Sequence, residues 1–273
     1  MRRKGTVFAY LVLCVGIVLL CYPTISSLIN AHTQSRAIAG YSHAIETMSE
    51  DNTRLLYEQA VAYNKALVGS DGRFTPDEEE RTAYYDLLDV TGTGIMSYIE
   101  ISSIDVRLPI YHGTDDSVLQ AGAGHMIGSS LPVGGPNTHC VVSGHSGLVS
   151  SRLLTDLEDV EEGDTFSVHT LGNVLTYQVN QIKIVLPDEL DDLEIADGKD
   201  YFTLVTCTPY GVNSHRLLVR GERIETPEYA SVETNDVGHD TVPGIIIVAI
   251  AAVGISAIIL IVAIIKRKKR KAG

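Results

Sequence analysis

Three stretches of this chain set reactive side chains where a rigid scaffold would present them. Ser143-Gly144-His145-Ser146-Gly147 holds a histidine between glycines, just after a predicted strand. Thr203-Leu204-Val205-Thr206-Cys207-Thr208-Pro209 ends a predicted strand in a cysteine, before a proline turn. Asn213-Ser214-His215-Arg216-Leu217 opens the following strand with an arginine. Function concentrates on such strand ends and their loops. These residue types suit acyl transfer. A thiolate attacks a carbonyl and makes a thioester. A free cysteine, with a pKa of about 8.5, is mostly protonated at neutral pH. A nearby imidazolium stabilises the thiolate and can protonate a leaving amine. A guanidinium, always charged and carrying several N–H groups in one plane, suits the oxyanion of the tetrahedral intermediate. Cys207 and Arg216 lie nine residues apart across a predicted hairpin, so antiparallel pairing would bring them to one site.

The elements that must position these groups fall into two regions. Residues 30–66 read as helical, with Ile38, Tyr41, Ile45 and Met48 at three- and four-residue spacing and a break near Glu50-Asp51-Asn52. Gly69-Ser70-Asp71-Gly72 is a predicted turn. A second helix is expected from Thr75 as N-cap, with Pro76 at its first position and Glu78 completing a capping box. From Met96 the pattern changes to short β-rich runs at 98–104, 106–111, 138–143, 165–170, 174–185, 201–206 and 216–224. Seven or eight short strands with few long helices predict a mainly β domain, a closed or nearly closed barrel with a helical N-terminal extension.

Charge and hydropathy place that domain. All 34 acidic residues lie between 31 and 240, while nine of the 21 basic residues sit at the two ends. The twelve remaining basic residues leave the middle at −22, a surface that repels phosphates, so no nucleic acid partner is expected. Residues 6–22 are nearly all apolar after a basic start, and the 21 residues of 245–265 are uncharged and run straight into a basic tail. About 20 apolar residues span a bilayer, and flanking Lys and Arg mark the cytoplasmic side. Two transmembrane helices follow, with both termini inside and the catalytic domain extracellular. A cleaved signal peptide is the alternative for the first segment, but no small-x-small site follows it. The divisions are 1–29 (start and first span), 30–90 (helical extension), 91–225 (barrel), 226–243 (polar tether), 244–265 (second span) and 266–273 (basic tail).

Other residues carry less chemistry. Cys140 and Cys207 could pair in an oxidising compartment, but a domain of this size needs no staple, and Cys140 alternates with Val142 as a core residue would. His112, His125, His139, His169 and His215 match no zinc spacing, and acidic residues 188–200 match no calcium loop, so no metal and no cofactor is expected.

Taken together, the three stretches resemble the sortases, whose nucleophile motif is Thr-Leu-x-Thr-Cys. The resemblance narrows to class C through Thr91-Gly92-Thr93-Gly94-Ile95-Met96, Leu108-Pro109-Ile110-Tyr111-His112-Gly113-Thr114, Ser130-Leu131-Pro132-Val133-Gly134-Gly135, Cys207-Thr208-Pro209-Tyr210-Gly211 and His215-Arg216-Leu217-Leu218-Val219-Arg220-Gly221. It covers roughly residues 36–225. It implies a sortase-type closed β-barrel with His145, Cys207 and Arg216 as catalytic residues. It also implies cleavage of an LPXTG-like sorting signal between Thr and Gly, and transfer to an amine. In pilus assembly that amine is a pilin lysine. Anchoring of surface proteins to cell-wall peptide amines, a hydrolytic protease, and a non-enzymatic membrane scaffold are the competing expectations; the intact triad argues against the last. Two departures stand out. The Asp-Pro-aromatic lid common in class C is missing, and the corresponding stretch reads Gly69-Ser70-Asp71-Gly72-Arg73-Phe74. That stretch is a plain inter-helix loop unless Asp71 and Phe74 plug the site in another way. Ser146 stands where the family commonly has arginine after the histidine.

Overall fold

The computed structural model describes residues 2–70, 72–148 and 150–227. The second apolar segment, the basic tail and most of the predicted tether lie outside them, as does Asp71. Among the described residues, those up to Ala31 together with 150–151 form one compact unit, and residues 32–148 with 152–227 form another.

Helix α1 (Arg2–Thr47) runs through Pro23, so the first predicted span and the first helix of the extension are one element. Its stretch Val15–Thr47 is long and apolar enough to cross a membrane, by length and composition. In the second unit, α1 buries Ile38 and Tyr41 beside Ile95 and Tyr98. The Tyr41 hydroxyl donates to the Met96 carbonyl at 3.0 Å and accepts from the Leu171 N–H at 2.9 Å. Ser49, in an extended conformation, ends the run and caps α2 (Glu50–Leu67) by accepting from the Asn52 N–H. From α2, the Asn64 amide bonds both backbone groups of Leu131, at 3.1 and 2.7 Å. Helix α3 (Glu78–Tyr85) corrects the expected cap. Asp77 and Glu80 form the capping box, satisfying two backbone donors reciprocally. Thr75 instead turns its hydroxyl onto the Gly72 carbonyl at 2.9 Å.

Eight strands follow: β1 (Ile95–Ile101), β2 (Val106–His112), β3 (Ala123–His125), β4 (Thr138–Ser143), β5 (Thr165–Thr170), β6 (Asn173–Val185), β7 (Asp200–Thr208) and β8 (His215–Ile224). They close a barrel in the order β1-β2-β3-β4-β7-β8-β6-β5. Two neighbours are parallel, β2 with β3 and β4 with β7. The short helix α4 (Asp116–Ala121) makes the first of these crossovers. Strand β1 starts and ends three residues earlier than predicted, because residues 102–104 wind into a 3-10 turn that Asp105 closes at φ 51°. Strand β3 was not predicted, since three residues are too few to show alternation. Inside the barrel Phe166, Tyr177 and Phe202 pack ring to ring, with centroids 5.4 to 5.6 Å apart. Cys140, Val142, Leu204 and Val219 belong to the same core. Burying each large apolar side chain contributes about 1.5–3 kcal/mol.

Alternation sends the other residues of β4, β7 and β8 outward. Val141, Val205 and Leu218 form a second apolar patch with Leu193, packed by Phe74, Met126, Val185 and Leu190.

Candidate active site

Cys207 and Arg216 are direct cross-strand partners in the β7–β8 pair, and both point to the outer face with Val205 and Leu218. His145 comes to the same end of β7 by a different route. Strand β4 runs parallel to β7, with Ser143 beside Val205. The chain then stays bonded to β7 past the end of β4. The Gly144 N–H donates to the Val205 carbonyl at 3.0 Å, and the Thr206 hydroxyl donates to the Gly144 carbonyl at 2.8 Å. One residue beyond His145, the Ser146 hydroxyl donates to the Cys207 carbonyl at 2.6 Å. His145 is thus held on both sides to the strand that carries the cysteine. The Gly144–Ser146 loop and Arg216 thus flank the end of β7, one reached through its parallel and one through its antiparallel neighbour.

The glycines around His145 follow from this geometry. A Cβ on Gly144 would lie 2.7 Å from the Leu154 side chain, so the close approach needs glycine. Gly147 takes φ +78°, against the Tyr210 ring, in the left-handed region where side chains are disfavoured.

All three candidate side chains are partly exposed. Cys207 is a free thiol. Arg216 spends one Nη group on two carbonyls of its own loop, Asn213 at 3.3 Å and His215 at 3.1 Å. No carboxylate pairs with it among the described residues, so its remaining N–H groups can meet a developing negative charge. Thr208, next to the cysteine, donates to Glu158 at 2.8 Å.

The remaining candidates take structural places. Cys140 is also free and 3% exposed, so no disulfide joins it to Cys207. Burial pushes its thiol pKa well up, which keeps it protonated. His125 lies wholly buried between the Tyr84 hydroxyl at 2.9 Å and the Ser130 carbonyl at 2.9 Å. His139 bridges the Glu194 carbonyl at 2.9 Å and the Thr203 hydroxyl at 2.7 Å. His112 bonds the Gly94 and Leu87 carbonyls, His169 stacks on Tyr98, and His215 meets Ser214.

The inter-helix loop is more than a connector. Arg73 is buried, and its guanidinium donates to the Gly128 carbonyl at 2.9 Å, the Leu193 carbonyl at 2.8 Å and Glu194 at 3.2 Å. It also lies 4.2 Å over the Phe74 ring. Phe74 in turn packs on the outer patch, which includes Val205, two residues before Cys207. Nothing in the local sequence announces Arg73, because its partners lie 55 and 120 residues away.

A sortase-domain profile matches residues 99–224. Sortase C1 of Streptococcus agalactiae is 48% identical, with a TM-score of 0.69 over 70% of this chain and 100% of that one. Streptococcus pneumoniae sortase C is 40% identical, with a TM-score of 0.62 over 70% and 97%. Sortase A of Streptococcus agalactiae is 30% identical over 51% of this chain, a match that spans only 57% of that relative. The barrel and its relatives define a cysteine transpeptidase. The chain belongs to the sortase family, and within it to class C.

Proposed function

We propose that this chain is a membrane-anchored transpeptidase that polymerises pilins through a thioester on Cys207. The Cys207 thiolate attacks the Thr carbonyl of an LPXTG-like signal, and Arg216 receives the oxyanion. The Thr–Gly C–N bond breaks as His145 passes a proton to the leaving amine. An incoming amine then attacks the thioester, His145 takes its proton, and the thiolate leaves. A pilin lysine as that amine gives an isopeptide bond. The observation that carries this reading is the direct cross-strand pairing of Cys207 with Arg216, beside a histidine loop bonded to the cysteine's own carbonyl. Similarity to the pneumococcal sortase C, a protein with pilin substrate specificity, favours a pilin lysine over a cell-wall amine as acceptor. The N-terminal apolar helix supports membrane attachment. The two-pass arrangement, with both termini cytoplasmic and the barrel extracellular, rests on the flanking basic residues.

Incubating the full-length protein in nanodiscs with an LPXTG peptide and a pilin-lysine peptide tests the reading. Mass spectrometry is expected to find an acyl adduct on Cys207 and a ligated product. Cys207→Ala abolishes both. Turnover in that variant would mean that the nucleophile is another residue, and hydrolysis with no ligation would mean a protease.

A further inference from the structure

A second site lies at the end of the barrel away from Cys207. Arg223 follows Arg216 by seven residues on β8, which at roughly 3.3 Å per residue separates them by about 23 Å. The register also turns it inward. Arg223 pairs with Tyr177, a core residue that is 1% exposed, and its guanidinium lies 5.7 Å from that ring. Here a cavity of about 350 Å³ opens, lined among others by Tyr57 of α2, Val133, Thr170, Val174, Leu175 and Arg223. This is within the usual size range of small-ligand sites, about 300–1,000 Å³.

Two polar groups lining the cavity have nothing to bind. The Thr170 hydroxyl and one Nη of Arg223 are buried and make no hydrogen bond among the described residues. Thr170 is 2% exposed. Leaving such groups unmatched is costly, more so for a charged one, so an unmatched pair at one cavity needs a reason. The nearby acid does not supply it. Asp200 spends its carboxylate on the Gly135 N–H, the Thr138 hydroxyl and the Tyr177 hydroxyl, at 2.8, 3.2 and 3.1 Å, and no ion pair joins it to Arg223. A guanidinium can only donate, and a planar carboxylate matches its geometry. The wall offered by Val133, Val174 and Leu175 suits a short apolar body.

We propose that this cavity binds a small organic carboxylate, its oxygens on Arg223 and Thr170 and its carbon chain against the apolar wall. The site is independent of the transpeptidase chemistry and uses none of its residues.

Saturation-transfer NMR on the full-length protein in nanodiscs tests this, with butyrate as probe and butylamine and inorganic phosphate as comparison arms. Saturable butyrate binding in the millimolar range is expected, with no response from butylamine. Arg223→Gln weakens butyrate binding at least tenfold. Thr170→Val, nearly isosteric and gentle on the fold, weakens it several-fold. Unchanged binding in Thr170→Val and Arg223→Gln overturns the proposal. So do an equal response to butylamine, and phosphate binding tighter than butyrate. Absence of any butyrate binding to the wild-type protein overturns it as well.

Discussion

Single side chains around β7 set how finely the proposed chemistry is aligned. The Arg216 guanidinium has N–H groups to spare after bonding its own loop, as an oxyanion donor requires. Arg216→Lys replaces a planar fork by a point charge, so kcat/KM on a sorting-signal peptide should fall at least about 100-fold, or about 2.7 kcal/mol. A near-normal rate would leave Arg216 a structural role only. Ser146 is a subtler case. Its hydroxyl ties the residue after His145 to the Cys207 carbonyl at 2.6 Å, a link the family's usual arginine at this position would make differently, if at all. In the proposed mechanism it acts through His145, as a positioning residue. Removing a neutral hydrogen bond costs about 1 kcal/mol. Ser146→Ala should therefore lower kcat about fivefold with KM little changed, and shift the acid limb of the pH–rate profile. Ser146→Thr, which keeps the hydroxyl, should recover most of the loss. A fall in KM affinity alone, with an unmoved pH profile, would show that Ser146 serves substrate binding and not alignment.

Local segments explain why the residues of the proposed site were easier to read from sequence than their setting. Cys207, His145 and Arg216 each sit in a short motif, and the nine-residue spacing of Cys207 and Arg216 encodes a hairpin that the structure contains. The parallel contact of β4 with β7, which brings His145 in, joins residues about 60 positions apart and leaves no local trace. The same holds for β3, too short to alternate, and for the shift of the α3 cap from Thr75 to Asp77, where two good caps compete. Arg73 is the largest such omission. It clamps the inter-helix loop to Gly128 and to the Leu193–Glu194 turn, and so holds Phe74 on the outer patch. If this loop covers the approach to Cys207, loosening it should help substrates enter. Arg73→Ala is expected to raise cleavage of short peptides several-fold and to speed alkylation of Cys207 by iodoacetamide. It should also lower stability by about 1–3 kcal/mol, through the acceptors it leaves unmatched. Unchanged alkylation, with the stability loss alone, would make the loop a brace and not a cover.

Across the molecule, the buried histidines tie the fold to pH. Burial lowers the pKa of both His125 and His139 to about 4, against an ordinary value near 6.5. The His125 ring faces Tyr84, Ser129 and Ser130. The His139 ring faces Glu194 and Thr203, with Arg73 and Arg220 opposing its charge and Asp192 favouring it. Both are neutral in the folded state at physiological pH. Above pH 6.5 the unfolded chain keeps them neutral too, and they add no pH dependence. Between pH 6.5 and about 4 the unfolded chain takes up protons that the folded one refuses, so stability falls as pH falls, and it levels off below 4. Each histidine removes at most about 3 kcal/mol over that window. Asp200 works the other way. Burial raises its pKa above 3.8, so the folded state holds a proton longer and part of the loss is offset just above that pH. The histidines dominate nearer neutrality, because their window reaches up to pH 6.5. Denaturant unfolding of the wild-type protein should show a clear loss between pH 7 and 4.5. His139→Gln, which can keep one hydrogen bond without a titrating ring, should flatten that slope by about half at some cost in stability at pH 7. An equal slope in the variant would assign the acid sensitivity to other groups and free His139 of it.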